Sequence, residues 1–284
     1  MTPTTKKVLI IAAIVVGAGL LLALLAWAFG AATSLVLGRG GVVAVTHVRH
    51  EVDAALSEFD EIDLRLSVST LTIRQGDSFH IEGSYYGREF NHEITNGVLI
   101  VRGEEGTWTP GTQIGVRHPR SGSLTITMPE GTDLGDITLM VGVGNISLRE
   151  LAADAVDISA GVGEISFRGT FSDSISISAG VGEIDVNATG TGSVSMEAGV
   201  GDVSFRGTFA GTNTIEVGTG DITVEIFDSQ DNYSYNLQTG IGQIQVAGAR
   251  SRGPGGQMSQ TVPDPTGSLR MQLGVGSISL DFRD

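Results

Sequence analysis

Four carboxylates, Glu164, Glu183, Asp202 and Asp221, recur at a step of 19 residues, with Asn145 one step ahead of them. If successive units stack, all five fall in one column. Carboxylates placed in this way suggest two chemistries. A pair flanking a glycosidic bond can act as acid and base or nucleophile, and a row of carboxylate oxygens suits a hard divalent cation. A catalytic pair, however, is singular and differentiated, whereas this row is regular. The column therefore reads first as a solvated edge that discourages pairing with other sheets. A cation ladder comes second and catalysis third. The calcium-binding pattern Gly-Gly-x-Gly-x-Asp does not occur in the chain.

Other chemistry is sparse. The five histidines are His47, His50, His80, His92 and His118, and none has the ligand spacing of a zinc site. Serines are frequent at polar positions of alternating segments, with no Gly-x-Ser-x-Gly elbow, and the only lysines are Lys6 and Lys7. Seven Gly-x-Gly triplets stand at turns between alternating segments, but no helix follows any of these seven to receive a phosphate, so no nucleotide and no cofactor is implied. Two loops are better candidates for partner contact. Residues 103–120 carry Trp108 and Pro110, and residues 249–266 interrupt the period with glycine, proline and arginine. Aromatic side chains on loops serve as contact points when exposed.

The elements that position these residues follow from the triplets. Gly142-Val143-Gly144 returns at 161, 180, 199 and 218 (there as Gly-Thr-Gly), always 19 residues on, and again after longer steps at 240 and 274. A fixed period near 20 marks a repeat architecture. Before and after each triplet, apolar and polar residues alternate, as in Val156-Asp157-Ile158 and Glu164-Ile165-Ser166-Phe167. Such alternation predicts strands with one buried face. Ile165, Ile184, Val203 and Ile222 are expected to form one buried ladder, and the valine between the glycines is expected to point inward. Residues 62–73 match 137–148 position for position, with serines replacing the glycines, and 269–280 match as well. Two architectures fit, a parallel solenoid and an antiparallel meander of hairpins. The exact step favours the solenoid, because stacked coils cannot change length without disturbing their neighbours. Between 80 and 128 the pattern changes, and residues 92–101 read as a hairpin around Asn96-Gly97. That segment is expected to cap or flank the stack.

Residues 8–29 form an uncharged run of 22. A bilayer core needs about 20 apolar residues in a helix, so the run is expected to span as an uncleaved anchor, with a cleaved signal peptide as the rival reading. Lys6 and Lys7 ahead of the run place the amino end in the cytoplasm and the rest outside. The expected division is thus a cytoplasmic end over 1–7, a transmembrane helix over 8–30, a linker over 31–56 and one β-repeat domain over 57–284. Beyond the run, 15 arginines face 32 acids, and the whole chain carries a net charge of -15. That balance argues against nucleic acid or anionic lipid, both of which require a basic footprint. No cysteine is present, so the domain must be held by its own core.

The alternating strands with Gly-x-Gly-x-Ile turns behind an apolar amino-terminal run resemble the bacterial putative-adhesin β-strand-repeat family, a domain of unknown function. The resemblance covers roughly residues 55–284. It implies a cell-envelope location, with a link to envelope stress in some members, and it supplies no catalytic residues. The sequence therefore reads as an all-β protein, a parallel stack of 19-residue strand–turn–strand coils preceded by one transmembrane α-helix. Its expected function is that of a non-enzymatic, adhesin-like binding or scaffold module of the envelope, in contact with envelope proteins or glycans. The alternative is a carbohydrate-active enzyme on a β-helix.

Overall fold

The computed structural model describes residues 36–38, 41–43, 48–104, 112–113 and 122–283. The chain divides into two compact units, one of Met1–Val48 with Gly106–Arg120 and one of Arg49–Glu105 with Ser121–Asp284. In the first, the short strands Val36–Gly38, Gly41–Val43 and Thr112–Gln113 pair antiparallel. The second is the repeat body. It begins earlier than position 57, because Val48–Ala55 is already a strand.

The repeat body is a parallel solenoid. Ile137 stands opposite Val156, Val156 opposite Ile175, and Ile175 opposite Val194. On the other side of each triplet, Ile146, Ile165, Ile184, Val203 and Ile222 follow one another in register. The expected ladder is present and buried, with Ile165, Ile184 and Ile222 fully inaccessible and Val203 at 1%. The inward faces of the two strand columns meet in one core, to which Leu148, Phe167, Val186, Phe205 and Val224 contribute a second row. The meander is excluded for these coils, since every coil-to-coil pairing is parallel.

The order of coils in space departs from their order in the chain. The coil Glu61–Gly76 stacks on Asp133–Val143 and on the start of Ile146–Val162, so the residues that match in sequence, 62–73 and 137–148, are neighbours in space. At the far end, the last strand, Gly267–Phe282, inserts between Gly211–Thr219 and Tyr233–Val246. The longer steps before the last two triplets are thus a fold-back. The segment 249–266, read as an interrupting loop, is mostly the strand Ala249–Gln260, paired antiparallel with Tyr233–Val246 around Ala247 (φ 44°) and Gly248 (φ 87°). The expected hairpin at Asn96-Gly97 is present, joining Glu89–Thr95 to Val98–Glu104 with φ of 54° and 84° at the turn. Two consecutive positive φ values give the turn whose twist matches that of paired strands. The parallel stack thus ends in an antiparallel hairpin at each extreme, Tyr233–Val246 with Ala249–Gln260 and Glu89–Thr95 with Val98–Glu104.

Two expectations need correction. The transmembrane helix over 8–30 falls outside the described residues, as does the cytoplasmic end over 1–7. Among the described residues the one helix is the short 3₁₀ turn Gln230–Asn232, and none is long and apolar enough to cross a membrane. Over the described residues the fold class is corrected accordingly to all-β and mostly parallel, with no transmembrane α-helix among them. The physical reason is the pattern itself: the described chain alternates at period two almost throughout and has no helical stripe. The second correction concerns the triplets. Val143, Val162 and Val200 point outward, 47%, 36% and 38% exposed. The chain bends around a corner at these residues, and the convex side of the corner faces water.

The glycine that follows each valine is set by the backbone, through a positive φ and through closeness to the coil behind. Gly163, Gly182 and Gly201 have φ near 150°, and a Cβ on each would lie under 2 Å from the carbonyl oxygen of the equivalent glycine one coil back. The position is glycine because the neighbouring backbone occupies the side-chain volume. Ser69, the upstream counterpart, avoids this with an ordinary φ and is fully buried.

Candidate functional site

The structure brings the predicted carboxylates together. The N–H groups of Ile165, Ile184 and Val203 donate to the carbonyls of Glu183, Asp202 and Asp221, each at 2.9 Å. Glu164, Glu183, Asp202 and Asp221 therefore occupy successive rungs of one exposed column. The shorter members have a backbone role. Asn145 Oδ1 accepts the Glu164 N–H at 3.2 Å, Asp202 Oδ1 accepts the Asp221 N–H at 2.8 Å, and Asp221 Oδ1 accepts the Ser277 N–H at 2.7 Å. Each caps an amide that the corner leaves free of the ladder. Asp and Asn have the reach for this, whereas Glu164 and Glu183, one methylene longer, extend into solvent. The column runs on to Ser277 because the carboxyl-terminal coil is the next one in space.

Removal of one such cap has a defined effect. Asp202→Ala should destabilise the body by about 1 kcal/mol, the net worth of one hydrogen bond, and Asp202→Asn should retain most of it. Urea midpoints of the two variants against the parent check this. Equal midpoints for Asp202→Ala and the parent would show that the bond contributes nothing.

Among the described residues no three His, Cys, Asp or Glu side chains converge on a point that could hold a metal ion. His80 Nε2 lies 2.9 Å from Asp53 Oδ1, and His50 and His92 lie against the ring of Phe90. His47, His118 and Trp108 fall outside the described residues.

Two open grooves indent the face that precedes the triplets. One, of about 630 Å³, is bordered by Arg65, Arg102, Met140 and Ser159, where both guanidinium groups pair with Asp63. The other, of about 560 Å³, is bordered by Glu197, Glu216, Gln238 and Gln272. Gly142 and Gly161 at the first groove, Gly199 and Gly218 at the second and Gly180 between the two are exposed and leave bare backbone on this face.

The face that follows the triplets carries an arrangement missed at the level of sequence. Arg149 stands opposite Arg74 on one side and Arg168 on the other, and Asn187 stands between Arg168 and Arg206. The signal was available, since 149, 168, 187 and 206 share the 19-residue step that placed the acids.

Together these features define a class of protein: a capped parallel β-solenoid that presents repeated outer columns instead of an enclosed pocket. The chain belongs to the Toastrack DUF4097 family, whose model matches residues 59–253. No curated protein matches the sequence. Among solved structures it is similar to a putative adhesin from Bacteroides fragilis, with 17% identity and a TM-score of 0.44 over 84% of this chain and 99% of that one. A putative cell adhesion protein from Clostridium sporogenes matches with 15% identity and a TM-score of 0.41, over 83% and 100%. A putative lipid binding protein from Parabacteroides distasonis matches with 12% identity and a TM-score of 0.28, over 82% and 96%.

Proposed function

We propose that this chain is an adhesin-like binding or scaffold module of the cell envelope, acting outside the cytoplasm on an extended partner. The observation that carries the reading is the in-register stacking of the coils. It displays the same outward position once per strand, about 4.8 Å apart, over at least five consecutive coils. A surface of this kind engages a polymer or a broad protein face by many weak, repeated contacts, whereas a small substrate needs a concave site. The acidic column supports binding over catalysis, because Asp202 and Asp221 are engaged in holding the next coil. The uncharged run behind Lys6 and Lys7 supports export of the repeat body.

One strain tests both parts. Protease added to intact cells, or to spheroplasts where an outer membrane exists, should degrade the repeat body, and the purified chain should bind isolated envelopes saturably. Protection of the body overturns the location. Absence of saturable binding overturns the function.

A further inference from the structure

Stacking aligns Arg74, Arg149, Arg168, Asn187 and Arg206 along one outer column, and all five side chains are exposed. Beyond Arg206 the column turns acidic at Glu225 and Asp281, and Glu225 takes both Arg206 and Arg283 as ion-pair partners. Arg74, Arg149 and Arg168 make no ion pair among the described residues. Arg149 donates only from Nε to Ser147 Oγ, at 3.1 Å.

Such a row is unfavourable for the fold taken alone. Like charges directly opposite one another on neighbouring strands are destabilising, and this chain has 32 acids from which partners could have been drawn. The adjoining outward column consists of Thr72, Ser147, Ser166, Asp185 and Ser204, so four of its five members carry hydroxyls beside the guanidinium row. Cations at strand spacing, flanked by hydroxyls, match an anionic chain whose charges repeat at a similar spacing. A guanidinium binds a carboxylate through two parallel hydrogen bonds. A sugar unit in an extended polyuronate is close to one strand spacing in length and carries one carboxylate. At physiological ionic strength, charges more than about 8 Å apart are largely screened, so acids distant from the row act only weakly on a chain lying along it. Nucleic acid is the poorer fit, because neither column offers an aromatic ring on which a base could stack.

We propose that the arginine column is the track for a linear polyuronate. The carboxylates lie on Arg74, Arg149 and Arg168, which stand on consecutive rungs, and the sugar hydroxyls lie over the serine and threonine column. The inference rests on the binding-module reading and adds to it a face and a ligand class.

The test uses the full chain titrated with polygalacturonate, with its methyl ester, single-stranded DNA and anionic phospholipid vesicles as comparison probes. The parent should bind polygalacturonate, more weakly as salt rises, and should prefer it to all three comparisons. Arg149→Gln with Arg168→Gln should weaken binding at least tenfold without lowering the melting temperature. Arg270→Gln, exposed on the other face, should leave it unchanged. Equal binding by parent and double variant overturns the proposal, as does equal binding of the methyl ester. Tighter binding of DNA or vesicles overturns it in favour of that partner. If the double variant still binds isolated envelopes like the parent, the polyuronate track fails and the binding module stands. If the parent binds no envelope material, the module itself fails.

Discussion

Ile184→Asp should unfold the repeat body or bring it close to unfolding. Ile184 is fully inaccessible, with Ile165 on one side and Val203 on the other. An aspartate there loses the isoleucine's packing and carries a carboxylate into a column with no cation to meet it. Removing a large buried aliphatic side chain alone costs about 2–5 kcal/mol. Burial of an unpaired polar or charged group adds several more, and a domain's whole margin is about 5–15 kcal/mol. The position also matters because solenoid stability is a sum over neighbouring coils. Ile184 lies in the middle of the stack, so its loss uncouples both halves. Ser166→Asp is the matched control, since Ser166 faces outward and stands directly opposite Asp185 in the next coil. It should cost no more than about 1 kcal/mol, the repulsion of two like charges on neighbouring strands. Urea denaturation followed by circular dichroism reads both variants. A parental midpoint for Ile184→Asp would mean that this column faces water.

Gly182→Ala should destabilise the body by roughly 3 kcal/mol or more, although it adds a single methyl group. At φ of +150° an L side chain is strained by about 1–3 kcal/mol. The new Cβ would also stand 1.7 Å from the carbonyl oxygen of Gly163, so one coil must move away from the other. The contrast is Gly135→Ala, whose Cβ would meet Glu61 Cγ at an ordinary 3.5 Å and whose φ is unremarkable. That change should be neutral or stabilise by about 0.4–1 kcal/mol, through a smaller entropy of the unfolded chain. Thermal melts separate the two. If Gly182→Ala and Gly135→Ala melt together, the coils are not in backbone contact at the corner.

The membership of the acidic column was legible in the sequence because a constant step converts sequence distance into spatial adjacency. Its role was not, since a carboxylate that solvates an edge and one that caps the next amide have the same position in the pattern. The difference between Asp202, which caps, and Glu183, which extends, is one methylene of reach relative to an amide on another coil. The arginine column was equally legible by period, although the net charge of the chain is acidic. A net charge sums over the molecule, whereas recognition at physiological ionic strength depends on charges within about a Debye length.

The sequence by itself determined the strand period, the inward ladder from Ile165 to Ile222, the hairpin at Asn96-Gly97 and the match of 62–73 to 137–148. These are encoded by alternation and by fixed spacing, both local properties of the chain. Only the tertiary structure decided that Gly267–Phe282 lies between Gly211–Thr219 and Tyr233–Val246. The open edge of the stack could accept either strand, since both have the same alternation, and local pattern does not rank two equivalent partners. The outward turn of Val143, Val162 and Val200 was likewise a tertiary outcome. Alternation assigns sides along a straight strand, and at a corner the direction of the bend, set by the packing of the two strand columns, assigns them instead.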